Sequence, residues 1–204
     1  MPARPVATAT GAWSLNVSAN ASYYFDQAFA AAVTTLVLND SDPEGSRTSL
    51  LDVGAGVGRY VGYYRNRGID ARGIDGMTDV RSRSNGLVEE VELTTMLPIN
   101  LSCHPVGTVV CTEVLEHIPI PHETRLIEWL SCMADRRIVL SWAHPGQRGN
   151  GHVNLRGEAY VRDRFAAHGW VVMDWETRTL RTASVLPWYR ANLLSLVHRS
   201  YLVH

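Results

Sequence analysis

Apolar residues first gather on one helical face. Phe25, Ala28, Phe29, Ala32, Val33, Leu36 and Val37 follow the i, i+3, i+4, i+7, i+8 rhythm of a period near 3.6. This spacing predicts a helix, with Ser22 or Asn20 available as its N-cap. The pattern then changes. Residues 49–53 form a short apolar run that ends in the string DVGAGVG, and 60–67 read as a helix stopped by Gly68. A second strand over 71–74 ends at Asp75, and a polar stretch over 78–86 separates it from a third over 87–93. A continuous apolar strand over 106–111 is followed by EVLEHIP and by a helix marked by Leu126, Ile127, Trp129, Leu130 and Met133. Further on come a strand over 138–143, the glycine-rich HPGQRGNGHVN, a helix over 158–167, and strands over 170–175 and 193–198. Strands alternating with helices predict an α/β domain built of βαβ units on a mostly parallel sheet.

A chain of 204 residues can bury a full core, and no apolar run reaches the roughly 18 residues of a membrane span. Nineteen Lys and Arg against twenty Asp and Glu leave a net charge of -1, which is no global footprint for nucleic acid. Cys103, Cys111 and Cys132 have no CxxC spacing and are odd in number, so neither a disulfide framework nor a zinc ribbon is expected and a reducing compartment is the simplest reading. The opening residues lack the form of a secretory peptide, and with Arg4 as their only cation an organelle transit peptide is the weaker alternative to a cytoplasmic location. Residues 1–21 read as a flexible N-terminal segment and 22–204 as a single domain, either monomeric or homodimeric.

The turn Asp52-Val-Gly54-Ala55-Gly56-Val-Gly58 places glycines at alternate positions, which lets the backbone bend sharply and a ligand approach closely. The helix that follows would aim its first N–H groups at a phosphate or carboxylate. Asp75, about 20 residues on at the end of the next strand, suits the two hydroxyls of a ribose, so a nucleoside is expected. The dinucleotide fingerprint G-x-G-x-x-G would need glycine at position 59, where this chain has Arg59.

With LLDVGAGVGRY, the GID that ends at Asp75, and VVCTEVLEHIP, the chain resembles the class I S-adenosylmethionine-dependent methyltransferases. The similarity follows element order over about residues 22 to 199 and is close only near 49 to 77 and 106 to 119. It implies a Rossmann-like three-layer sandwich with a seven-stranded, mostly parallel sheet whose last strand is antiparallel. It also implies S-adenosyl-L-methionine as cofactor. Gly54, Ala55 and Gly56 would then lie along the methionine part and Asp52 would order the turn and reach the amino group. Asp75 would hold the ribose and Met77 would pack on the adenine. Glu92 and Leu93 sit where the family often reads the adenine amino group; Gly58, Gly76, Thr112 and Glu113 complete the implied cofactor set. The chain departs from the family in reading Val91-Glu92-Leu93 for the common Gly-Asp, and Gly107 for the usual acidic residue opening the fourth strand.

Methyl transfer from a sulfonium asks the protein mainly to align a nucleophile, with a base needed only when the acceptor must lose a proton. The loops after the fourth and fifth strands hold His117, His122, His144 and His152. Of these, His144 and His117 are the candidate bases, and His152 and Asn154 are candidate substrate contacts. Each is equally open to a purely structural reading. The H-x4-H spacing with two prolines between fixes no common helical face, so no metal is expected, although Glu113 was available as a further ligand. Glu116 reads either as part of the site or as a charge complementing a helix terminus. Tyr23 and Tyr24 could close over the cofactor through cation–π attraction or simply pack. In TRTLRTASVLPWYR, Arg178 could hold an acidic group and Trp188 could stack on substrate, against a reading of solvated arginine and core tryptophan. A small-molecule methyl acceptor is favoured over nucleic acid, with a noncatalytic cofactor-binding protein as the alternative.

Overall fold

The computed structural model describes residues 25–40, 48–95 and 103–202, and the backbone of 6–7 and 13–14. Strands β1 (Val6–Ala7) and β2 (Trp13–Ser14) pair antiparallel. The order continues as α1 (Gln27–Asn39), β3 (Ser49–Val53), α2 (Arg59–Arg65), β4 (Asp70–Asp75), α3 (Val80–Arg83), β5 (Val88–Glu90) and β6 (Val106–Cys111). It ends with α4 (Ile120–Met133), β7 (Ala134–Ser141), α5 (Glu158–Ala166), β8 (Trp170–Val172), α6 (Asp174–Ala183), α7 (Pro187–Asn192) and β9 (Leu193–His198).

Seven strands form one sheet in the order β5-β4-β3-β6-β7-β9-β8. The first five are mutually parallel and β9 runs antiparallel to both neighbours. Successive residues of the central strands enter opposite cores, which is why these strands read as unbroken apolar runs. Leu51, Val109, Ile138 and Leu140 pack under Leu126, Ile127 and Leu130 of α4 and Phe165 of α5. Leu50, Val110 and Val139 meet Phe29, Val33 and Val37 of α1, Val61 and Tyr64 of α2, and Leu180 of α6. The result is the three-layer sandwich that the resemblance implies.

Several boundaries differ from the sequence reading. Neither Ser22 nor Asn20 caps α1; Asp26 does, accepting from the Phe29 N–H. The same carboxylate also accepts from the Ser184 hydroxyl and the Val185 N–H, far along the chain. The third strand shrinks to three residues and the sixth to Trp170–Val172, because both lie at sheet edges. Trp175, expected in a strand, is exposed on α6. Cys103 and Cys132 form a disulfide with Cα atoms 5.9 Å apart, correcting the expectation that no pair exists. The end of α4 lies over the start of β6 because β7, which follows it, pairs Ala134 with Val106. Among the described residues no helix is long and apolar enough to cross a membrane.

Candidate functional site

The chain leaves β3, builds β4 and β5 on one side, then returns to place β6 on the other side of β3. Such a reversal opens a crevice beyond the carboxyl ends of the two diverging strands. Its floor is the turn after β3, where Gly54, Gly56 and Gly58 have φ of 77, 53 and 78°. These are left-handed conformations that favour glycine. At Gly54 a Cβ would also lie 2.2 Å from a methyl of Val114, so the turn and the loop after β6 are packed backbone against side chain.

The turn spends its donors internally. The Gly54 and Ala55 N–H groups donate to the Ile74 carbonyl, Gly58 donates to Ala55, and Gly56 donates to an Asp75 oxygen at 2.7 Å. The helix N-terminus expected to face an anion is therefore a short α2 whose preceding N–H groups are already engaged. What the crevice offers instead is acceptors. Asp75 receives Gly56 on one oxygen and the Met77 N–H, at 2.8 Å, on the other. Two bonds fix the carboxylate and leave two of its roughly four lone-pair sites for a ligand. Beside it, on β3, Asp52 is buried and its Oδ2 has no hydrogen-bond partner.

Burial, and then the charge of Asp75, push the Asp52 carboxyl up to about 7. Burial also raises Asp75, with Glu92 adding to it and the Gly56 and Met77 bonds opposing it. An ammonium and a pair of hydroxyls would satisfy these groups, whereas a pyrophosphate would meet two carboxylates and few available donors. Because the folded value of Asp52 exceeds the usual 3.8, its stability contribution is complete below about pH 4 and is lost as pH rises through 7. Asp52→Asn should therefore melt higher than the parent at pH 8, with an advantage that grows between pH 4 and 7. A pH-independent difference would contradict this electrostatic account.

Across the crevice, Thr112 accepts from the Tyr189 hydroxyl at 2.9 Å. Glu113 takes a φ of 58°, unusual for a side chain of its size. Its N–H donates to the Ser141 hydroxyl, which in turn donates to Glu113 Oε1, both at 2.8 Å. A 3-10 turn over Leu115–His117 follows. Glu116 is completely buried in it, and burial followed by the Glu113 charge pushes it up to about 8, with the Glu116 and Ala143 backbone N–H groups opposing. This is not the solvated complement to a helix terminus considered above. His117 Nδ1 donates to the Gly151 carbonyl at 3.1 Å, and burial holds its pKa down to about 4. The His152 ring stands 5.1 Å from it, edge to face. Glu116, His117 and His152 bring their ligand atoms within 4.8 Å of one another, a cluster that helical spacing could not foretell because His152 arrives from a separate loop. His144 is exposed, with Nδ1 3.2 Å from the Pro145 carbonyl.

Other expected residues sit elsewhere. Asn154 is buried; its amide donates to Glu123, which also binds Arg156 and the Tyr160 hydroxyl, and its Oδ1 has no hydrogen-bond partner. Met77 is buried with Val80 and Val88, and Leu93 lies in the opposite core. Glu92 stays near Asp75, holding Thr94 through its N–H and hydroxyl, and Gly76 joins Asp75 to Met77. Arg178 is exposed on α6, which packs on β9, three strands and about 14 Å across the sheet from β3. It lines a charged groove with Glu158, Arg162, Asp174 and Arg181. Trp188 is half-buried against the α1 side of the core. Tyr23 and Tyr24 lie outside the described residues. Val114, Ser141 and Tyr189, which the sequence reading did not single out as candidates, touch Gly54, Glu113 and Thr112, partners distant in sequence; only Ser141, a hydroxyl ending an apolar strand, left a visible signal.

No protein-family model matches the sequence, and no curated protein matches it. Solved structures do match the fold. Magnesium protoporphyrin IX methyltransferase from Synechocystis PCC 6803, crystallised with SAH, is 18% identical with a TM-score of 0.60, covering 84% of this chain and 83% of that one. The sugar N-methyltransferase KedS8 from Streptoalloteichus sp ATCC 53650 is 15% identical with a TM-score of 0.61, covering 91% and 98%. The [4+2]-cyclase SpnF is 13% identical with a TM-score of 0.55, covering 91% and 86%. The sheet order, the antiparallel final strand and these likenesses together give the chain the class I S-adenosylmethionine-dependent methyltransferase fold.

Proposed function

We propose that this chain binds S-adenosyl-L-methionine across the β3 turn and transfers its methyl group to an oxygen, nitrogen or sulfur atom of a small-molecule metabolite. The observation that carries the reading is the pair of carboxylates at the turn, one pinned by two backbone N–H groups and the other buried with an unpartnered oxygen. Asp75 holds the ribose hydroxyls and Asp52 takes the amino group, while the left-handed glycine turn carries no side chain at Gly54, Gly56 or Gly58 to obstruct the ligand. Glu113, fixed by Ser141, borders the same crevice from the β6 side.

When bound, the cofactor supplies a methyl already activated on a sulfonium. The chain's own part is to orient the acceptor and, where the acceptor is a hydroxyl, thiol or ammonium, to take up its proton. His144 is the residue proposed for that proton. His117 is buried and held neutral above about pH 4, which suits contact better than proton uptake at neutral pH.

Incubation with cofactor carrying a labelled methyl and a metabolite extract should move label into a small molecule. His144→Ala should lower that transfer about 100-fold while leaving cofactor affinity unchanged. SpnF shows that a chain of this architecture can be a cyclase. Tight cofactor binding with no transfer to any extract would favour a noncatalytic or non-transferring role.

A further inference from the structure

Glu116 stands out among the described side chains of the loop after β6. Its carboxyl is fully buried and pairs with no cation among the described residues; only the Glu116 and Ala143 backbone N–H groups favour its charged form, an arrangement that costs several kcal/mol as a carboxylate unless a cation compensates it. Two imidazoles stand beside it. The Gly151 carbonyl can only accept, so His117 Nδ1 carries the proton and its lone pair lies on Nε2. His152 has its own backbone partner at Gln147, while its Nδ1 is buried with no partner. Each ring thus has one nitrogen engaged with the backbone, the arrangement by which metal-binding histidines are oriented.

The two halves of the cluster are also tied together. The Val153 and Asn154 N–H groups donate to the Glu116 carbonyl at 2.9 and 3.0 Å, so the glycine-rich loop after β7 is fastened to the turn after β6. The ligand atoms lie within 4.8 Å of one another, against the at most about 4.2 Å spanned by two atoms each bound near 2.1 Å from one ion. Side-chain shifts of under an ångström close that gap.

We propose that Glu116, His117 and His152 form a binding site for a divalent first-row transition ion, with positions left open for an oxygen donor of the methyl acceptor. Two nitrogen ligands and one carboxylate suit Mn2+, Fe2+, Co2+ or Zn2+, whereas Mg2+ and Ca2+ prefer oxygen alone. The assignment of the open positions to the acceptor rests on the methyl-transfer reading; the ion site itself does not. It also departs from the expectation of no metal, which weighed only the spacing along the EVLEH turn.

The test is titration of the full chain with Co2+ and Zn2+ in the absence of cofactor, followed by calorimetry and by the visible absorption of Co2+. One ion per chain should bind with micromolar affinity and raise the melting temperature. Glu116→Gln and His152→Ala should each weaken binding about 100-fold, and Mg2+ should not compete. Glu116→Gln replaces the carboxyl with a neutral amide of nearly the same volume, so it is the variant that keeps the fold. Absence of saturable binding up to millimolar ion, or affinity unchanged in both variants, would overturn the site. Ion binding by a chain that binds no S-adenosylmethionine would leave the site standing and refute the methyl-transfer reading instead.

Discussion

Arg137→Ala is expected to destabilise the protein by about 3–5 kcal/mol, a large share of the roughly 5–15 kcal/mol that holds a domain together. Arg137 lies on β7 and is buried on the side of the sheet covered by α1 and α6. Its guanidinium binds Glu176 of α6 through two hydrogen bonds, at 3.0 and 2.7 Å, and also pairs with Asp40 at the end of α1. Glu176 accepts in addition from the Ser195 hydroxyl of β9 at 2.6 Å. Truncation leaves two buried carboxylates facing a cavity with no compensating charge, apart from the Arg136 contact to Asp40. Urea unfolding should show the midpoint falling. Because the penalty comes from orphaned charge, Arg137→Met combined with Glu176→Met should recover much of the loss. Equal loss in the single and double variants would mean that packing volume, not charge, governs this part of the fold.

Asp75→Ala should weaken cofactor binding by about 100-fold or more, since two hydrogen bonds to a charged acceptor contribute about 1.5–3 kcal/mol each. The effect has two parts. The ribose loses its acceptors, and the turn loses the Gly56 and Met77 bonds that hold it in shape. Asp75→Asn keeps one acceptor oxygen and should fall between alanine and the parent. Equilibrium titration of the variants, alongside His144→Ala, separates these roles. A comparable loss of cofactor affinity in His144→Ala would contradict the division of labour proposed for the two residues.

Much of the scaffold is legible in the chain because local and tertiary signals agree. The central strands are continuous apolar runs since both faces are covered, and the glycine turn announces itself through residues that alone adopt its backbone angles. Helix α6 is a different case: of its ten residues only Leu180 is a buried apolar residue, and Glu176 enters the interior solely because Arg137 meets it there. No periodicity argument could foresee that pairing across 39 residues. The same holds for the Asp26 cap, whose second partner lies 158 residues away. The closeness of Asp52 and Asp75 was readable because one strand–turn–helix–strand unit places both. That of Glu116 and His152 was not, because their proximity depends on a loop folding back onto the turn after β6. The Asn154 amide contact to Glu123 was hidden for a related reason: nothing nearby in sequence reveals it.

The central claim is that the crevice beside β3 accepts an adenosyl amino acid and rejects a dinucleotide. Calorimetric titration of the unaltered chain with S-adenosylhomocysteine and, separately, with NAD tests it most directly. One equivalent of S-adenosylhomocysteine should bind with micromolar affinity, and NAD should give no saturable heat. Saturable NAD binding with none for S-adenosylhomocysteine would contradict the account.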